Sequence, residues 1–466
     1  MHECAQVRQP QILHSMNENF TGHAEFESDG FLFSVGVPKK QRVQSAAKAT
    51  AASFSQRATQ EGETEMTAFS KCFAAFLIST VLILPALAQT PSTADPKASG
   101  GTAPNSTSPA QEPAPAPPTW SVGPIDFSGL VDGYYSFNSN HPASQVNQLY
   151  NFDDKTNQFS LNMAKLSLAH TPDPVGFQVD LGFGRAFEIF NRQPSERASD
   201  TFRFLEQAYL SIKPPKAKGL EVDFGKFVTS AGAEVIETNG NWNYSRSLLF
   251  ALAIPYYHFG VRTSIPIGKY FTGGVQIVNG WNNIGDNNSG KTIGLTGTIT
   301  TKKFAWSNNY YAGPENNDTS KGWRHLYDTT VLFTPSTKFS GYINFDYGQN
   351  ANFSLVSGVA TPGVPSISKW YGLAGALHLQ ANSHWSLTPR VEWFKDKNGF
   401  ATGVAQDLKE CTFTGEYKMV EGLLARLEYR RDWTNQPFFD YGNVLGSKKT
   451  QNTVSLGVLA YFGPKR

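Results

Sequence analysis

Residues 338–348 read KFSGYINFDYG, and residues 423–433 read LLARLEYRRDW. In the first stretch Phe339, Gly341, Ile343, Phe345 and Tyr347 share one side of an extended chain, while Ser340, Tyr342, Asn344 and Asp346 share the other. In the second, Leu423, Ala425, Leu427, Tyr429 and Trp433 oppose Arg426, Glu428, Arg430 and Asp432. A period of two belongs to a β-strand, because successive side chains leave opposite faces of the pleat. Each strand therefore carries one apolar face and one that needs water or charge partners. A soluble sheet with one solvated face would show the same alternation, so these stretches alone do not choose the solvent.

The same period recurs from Phe127 onward. Tyr257, Phe259, Val261 and Ile265 oppose His258, Arg262 and Ser264, and Leu387, Val391 and Trp393 oppose Arg390 and Glu392. Sixteen strands are expected, the first eight at 127–137, 159–170, 175–184, 204–212, 220–227, 256–265, 271–281 and 291–301. The other eight fall at 304–312, 325–334, 338–348, 369–380, 385–395, 408–418, 423–433 and 452–462. The stretches 204–212 and 304–312 sort poorly. Most have the length a tilted strand needs to cross a bilayer, about nine to eleven residues.

The links decide the solvent. Every second one is short: 171–174, 213–219, 266–270, 302–303, 335–337, 382–384 and 421–422. Those between are long: 138–158, 185–203, 228–255, 282–290, 313–324, 349–368, 396–407 and 434–451. Tight periplasmic turns alternating with long external loops characterise an outer-membrane barrel, whereas a sandwich or propeller has no reason to send every second link to one side. Hydrocarbon supplies no hydrogen-bond partner, so the sheet must close on itself. Sixteen strands enclose a lumen too wide for wall side chains to fill, so water enters. The expected fold is all-β: a transmembrane antiparallel up-and-down β-barrel. Tyr134, Tyr135, Tyr256, Tyr257, Trp281, Trp370, Trp385 and Trp433 lie at strand ends and fit the interfacial girdles, though each fits an ordinary packed aromatic equally well.

Composition excludes several classes. Of the 466 residues 17% are charged and 13% aromatic, too aromatic and too weakly charged over most of the length for a disordered chain. Only one segment approaches the run of about 18 apolar residues that a spanning helix needs. A net charge of +2 gives no electrostatic case for a nucleic-acid partner. The one apolar segment, residues 66–88, reads MTAFSKCFAAFLISTVLILPALA. Lys71, the apolar run to Leu84 and Ala86-Leu87-Ala88 make it a signal peptide cleaved after Ala88. A single spanning helix is the alternative, but the run is short and Pro85 breaks it. Translation is expected to start at Met66, with residues 1–65 an upstream extension. Residues 89–119 are a Pro/Ala/Ser-rich periplasmic linker, and 120–466 the barrel. Of Cys4, Cys72 and Cys411 only the last survives cleavage, which leaves no internal disulfide and no thiolate metal site. Cys411 falls in phase with Phe413 and Tyr417, as a small wall residue.

One catalytic motif matches by letters. Gly285-Asp286-Asn287-Asn288-Ser289-Gly290-Lys291-Thr292 has the spacing of a phosphate-binding loop, which needs a following helix to aim N–H groups at phosphate. Ile293 to Thr300 is β-branched, Gly-rich and alternating, so the octapeptide reads as a loop between strands. His141, His170, His258, His325, His378 and His384 have no close His or Cys ligand partner by spacing. No metal, cofactor or nucleotide is expected. A barrel lipase would need a Ser, a His and an orienting group brought together in space, which sequence does not exclude.

The longest link, 228–255, carries Glu234, Glu237 and Arg246. Folded inward, it would form a constriction whose carboxylates face wall arginines such as Arg262, Arg390, Arg426 and Arg430. The opposed charges would orient polar solutes. The equal alternative is a solvated external loop, with the wall charges Asp346, Arg390, Glu392, Arg426, Glu428 and Arg430 merely paired among themselves.

Several stretches carry a resemblance. They are Phe127-Ser128-Gly129-Leu130-Val131-Asp132-Gly133-Tyr134-Tyr135, Asp223-Phe224-Gly225-Lys226-Phe227 and Asn243-Tyr244-Ser245-Arg246-Ser247. Pro255-Tyr256-Tyr257-His258-Phe259-Gly260-Val261-Arg262 and Gly280-Trp281-Asn282 add to it. From about Phe127 to Phe462 the chain resembles the OmpL-like β-barrel porin family of bacterial outer membranes. The resemblance implies a pore for small hydrophilic solutes in outer-membrane lipid, with no catalytic residues to transfer. It departs at the end, where Phe462 is followed by Gly463-Pro464-Lys465-Arg466 and not by the chain terminus. The alternatives are a barrel enzyme and a plugged adhesin or structural barrel. A homotrimer stays open as the assembly, since large porins are often trimers and nothing in the sequence marks a protomer interface.

Overall fold

Alternating strands with one apolar face can satisfy every backbone group in lipid only by closing, and the computed structural model, which describes residues 120–191 and 200–463, is a closed antiparallel barrel of 16 strands. The expected upstream extension, signal peptide and linker, with Pro464–Arg466, lie outside the described residues. The first half runs β1 Ile125–Asn138, β2 Gln158–His170, β3 Val175–Phe183, β4 Leu205–Ile212, β5 Glu221–Val228, β6 Tyr257–Ile267, β7 Phe271–Val278 and β8 Thr292–Thr300. The second runs β9 Phe304–Pro314, β10 Trp323–Ser336, β11 Phe339–Val356, β12 Val359–Gln380, β13 Trp385–Asp396, β14 Gln406–Val420, β15 Leu423–Thr434 and β16 Thr450–Phe462. Each strand pairs with its chain neighbour, and β16 closes on β1 from Thr453↔Asn138 to Phe462↔Gly129.

Which face is dry separates a barrel in lipid from a soluble sheet. Leu427 is 58% exposed and Ile343 50%, whereas Arg426 and Glu428 are 2% exposed and Asp346 is fully buried. The apolar side faces out and the charged side in, the reverse of a soluble protein. Cys411 is buried with Val391 and Trp433 and carries no disulfide.

Two expectations need correction. The link 349–368 is not a loop: β11 and β12 continue as one long hairpin arm, paired to Val356↔Val359. Ser357 (φ 50°) and Gly358 (φ 79°) form its tip, and left-handed backbone at both central positions suits a two-residue turn between twisted strands. The register break between Ala351 and Phe353 marks where the arm leaves the barrel's own pairing. Second, Tyr134, Tyr256, Tyr257, Trp370 and Trp433 are buried, so they pack inside the protein and not at the lipid interface; Trp385, at 52%, fits a girdle. As the sequence leads one to expect, Gly285 to Lys291 is bend and irregular backbone leading into strand β8, so the phosphate-loop spacing lacks its helix.

Two short helices, α1 Arg185–Phe190 and α2 Leu248–Leu252, sit in long links. Ser247 caps α2, its Oγ accepting from the Phe250 N–H at 3.0 Å. Phe187 and Phe190 of α1, Leu248 and Phe250 of α2, and Phe152 of the 139–157 link are buried in one apolar cluster. The barrel thus encloses a small core supplied by its own inserts.

Candidate functional site

The segment 229–256 leaves the wall at β5 and returns at β6, yet its partners lie across the barrel. Glu428 on β15 accepts from the N–H groups of Tyr244 (2.7 Å) and Ser245 (3.0 Å). Arg426 donates Nη1 to the carbonyls of Thr238 (2.7 Å) and Asn243 (3.1 Å), and Nη2 to that of Asn241 (2.5 Å). Arg390 on β13 donates to the Ser245 carbonyl at 2.7 Å, and Arg430 to the Arg246 carbonyl at 2.8 Å. Trp242 stacks on Tyr342 of β11 and His378 of β12, with ring centroids 5.6 and 5.3 Å apart. The Tyr244 hydroxyl donates to Asp132 on β1 at 2.7 Å. A chain rooted between β5 and β6 that touches β1, β11, β13 and β15 crosses the lumen.

Irregular backbone inside a barrel brings N–H and C=O groups that need partners. The wall charges supply them: arginines take carbonyls and Glu428 takes amides. The same charges neutralise one another, as buried ions must. Arg390 contacts Glu392 and Glu410, both at 3.1 Å, and Glu234 of the insert at 2.7 Å. Arg430 lies between Glu410 (3.2 Å) and Asp432 (2.8 Å). Gly457 on β16 gives Tyr244 its place, since a Cβ there would fall inside the ring.

The expected site residues therefore separate. Glu234 meets Arg390, and its other oxygen accepts from the Ser247 N–H at 2.6 Å. Among the described residues Glu237 meets no wall arginine; it pairs with Lys165 on β2, which also contacts Glu206 (3.1 Å) and Asp180 (3.2 Å). Arg246 faces its own segment, donating to the carbonyls of Val235 (2.9 Å), Ile236 (2.5 Å) and Tyr244 (2.7 Å). Arg262 turns to Asp223 at 2.7 Å, between the rings of Tyr209 and Phe227. Asp346 stands across from Asp328 in register, buried. Lys165, Asp180 and Glu206 were not among the expected residues. Asp180 alternates legibly with Val179 and Leu181, but Glu206 lies in the strand that sorts poorly. Asp180, Glu206 and Glu237 offer oxygens within 4.8 Å of one another, a spacing that suits a cation, and the Lys165 ammonium already supplies that charge.

A second insert, 139–157, packs against the first. The Tyr150 ring lies 4.4 Å from the Arg430 guanidinium, and Phe152 touches Phe250 and Tyr256. Asp154 holds Arg185 of α1 through both oxygens, at 2.8 and 2.6 Å. Asp153 beside it is buried, and neither of its side-chain oxygens has a hydrogen-bond partner among the described residues. Burial, with Glu428 adding to it, pushes its carboxyl up to about 7 against the pull of Arg246 and Arg430. At the end of the barrel that carries the long links, a cavity of about 630 Å³ opens among the 279–291, 315–322 and 397–405 links and the hairpin arm.

Comparison with known proteins gives a family. The family model described as "Putative beta-barrel porin-2, OmpL-like" matches residues 124–462. No curated protein matches the chain. Among solved structures, in-vitro folded OmpT, an outer membrane protein of Vibrio cholerae, is similar at 13% identity and a TM-score of 0.48, covering 74% of this chain and 100% of that one. The outer membrane channel DcaP of Acinetobacter baumannii is similar at 13% identity and 0.46, covering 72% and 97%. An anion-selective porin from Comamonas acidovorans is similar at 8% identity and 0.48, covering 72% and 99%.

Proposed function

Because the chain belongs to the OmpL-like β-barrel porin family, we propose that it passes small hydrophilic solutes passively, along a narrow route beside an inserted segment and not through a wide bore. The protein is an outer-membrane porin. The observation that carries the narrow route is the 229–256 segment, anchored by its main chain to the opposite wall. On this reading Glu234 and Arg246 brace the insert, while Glu237, whose side chain is 28% exposed, is the carboxylate that a solute meets. We read the barrel as a channel and not as an enzyme.

Planar-bilayer recording of the purified full barrel tests this. Small unitary steps are expected from the native chain, and larger ones after residues 234–252 are replaced by a short Gly/Ser link. A second reading, a barrel sealed by its inserts, is favoured by the complete burial of Arg390 and Arg430; silence from both proteins would establish it. The mass of the detergent-extracted complex tests a homotrimer, and N-terminal sequencing beginning at Gln89 tests cleavage after Ala88.

A further inference from the structure

The cavity of about 630 Å³ at the end carrying the long links is far larger than the 30 Å³ or so that one water occupies, and its polar groups are unevenly used. Arg324 of β10 is held between two aromatic rings, its guanidinium carbon 5.0 Å from the Trp281 ring centroid and 5.1 Å from that of Phe400. Nε donates to Asn350 Oδ1 at 3.0 Å, which fixes the plane of the group. Nη1 and Nη2 donate to no protein atom among the described residues. Two lining amides are in the same condition. Asn282 Oδ1 accepts from the N–H groups of Tyr256 and Tyr257, and Asn317 Oδ1 accepts from Asn287, but neither Nδ2 has a protein acceptor among the described residues. The cavity thus offers unused donors from three of its lining side chains, one of them a permanent cation.

We propose that this vestibule is a binding site for small monocarboxylates, with the Arg324 fork holding the carboxylate and the rings beside it holding the apolar body. The proposal deepens the porin reading by naming a solute class, and rests on it for the step from capture to passage. A planar guanidinium whose terminal nitrogens are free matches the two oxygens of a carboxylate in a bidentate pair. Phe353 and Leu355 of the hairpin arm add apolar lining, as a ligand with a hydrocarbon part requires. Charge separates a monocarboxylate from phosphate. Glu315 and Asp318 line the same cavity and repel a dianion more than a monoanion. Burial pushes the Glu315 carboxyl up, toward its neutral form, while Arg324 pulls it back. Its oxygens are already engaged by the Trp281 N–H (2.9 Å) and the Thr292 hydroxyl (2.5 Å), so it does not compete for the fork through a direct contact.

Isothermal titration of the detergent-solubilised full barrel with sodium benzoate, benzyl alcohol and sodium phosphate tests the site without any current. Benzoate is expected to bind at least about tenfold more tightly than either of the others. Arg324→Gln should remove that advantage and Arg324→Lys should keep only part of it. Asn317→Asp, at an exposed position whose acceptor the substitution preserves, should weaken benzoate several-fold without touching the fold. Equal binding of benzyl alcohol would leave only the rings, equal binding of phosphate would leave an unselective anion site, and benzoate binding unchanged in Arg324→Gln and Asn317→Asp would remove the fork; each overturns the proposal. Benzoate binding by a barrel that conducts nothing would refute the channel and leave the site standing, whereas conduction without benzoate binding would do the reverse.

Discussion

Two residues show how closely the insert and the wall are matched. Gly457 of β16 leaves the space that the Tyr244 ring fills, and the Tyr244 hydroxyl then reaches Asp132. Gly457→Ala should expel the ring and cost about 1–3 kcal/mol through overpacking, seen as a lower unfolding temperature and larger unitary conductance. Tyr244→Ala added to it should recover part of the stability, and additive losses would mean that the two do not touch. Asp153 makes the second case. Its folded value of about 7 lies above its ordinary 3.8, so folding retains a proton. Stability is then highest below about pH 4, falls as pH rises toward 7, and stays at its lowest above that. The native barrel should lose thermal stability between about pH 4 and 7, and Asp153→Asn should flatten that slope. A slope that persists in Asp153→Asn would remove Asp153 as its source.

At the scale of elements, the strands were legible because lipid on one side and charge on the other enforce a strict period of two. All sixteen stand where alternation puts them, most within a few residues, including 204–212 and 304–312, whose faces sort poorly but whose neighbours leave them one place in the closed sheet. The hairpin arm was not legible. Beyond Ala351 most of it is exposed, so no alternation is imposed, and its Pro362 and Pro365 stand where a two-stranded arm, being all edge, tolerates them. Replacing residues 353–366 by a two-residue turn should shift the unfolding temperature by no more than about 3 °C, the equivalent of roughly 2 kcal/mol in a barrel this size; a much larger drop would make the arm part of the frame. The inserts were only half legible. Length marked 228–255 as the link able to enter, but which wall charge each residue meets depends on the path across the lumen. That is why Glu237 reaches Lys165, and why Arg246 turns back on its own carbonyls.

Over the whole molecule, charge is divided between a dry sector and a wet remainder. Arg390, Glu392, Glu410 and Arg430 are fully buried or nearly so and balance one another, so their field reaches a passing ion weakly. Glu237 is the insert carboxylate with access to water. Glu237→Gln should therefore lower cation preference by about 1.5-fold or more in the reversal potential under a salt gradient, while Glu392→Gln should leave it nearly unchanged. An equal effect of both would place the buried sector in the conduction path.

The insert is gripped chiefly by oxygens and hydrogens that every amino acid carries, the carbonyls taken by Arg390, Arg426 and Arg430 and the amides taken by Glu428. Its outward-turned side chains can thus drift from one lineage to another while the grip persists. The cylinder would stay constant and the filter seated in it would be exchangeable, which makes the insert the place where one architecture acquires new cargo.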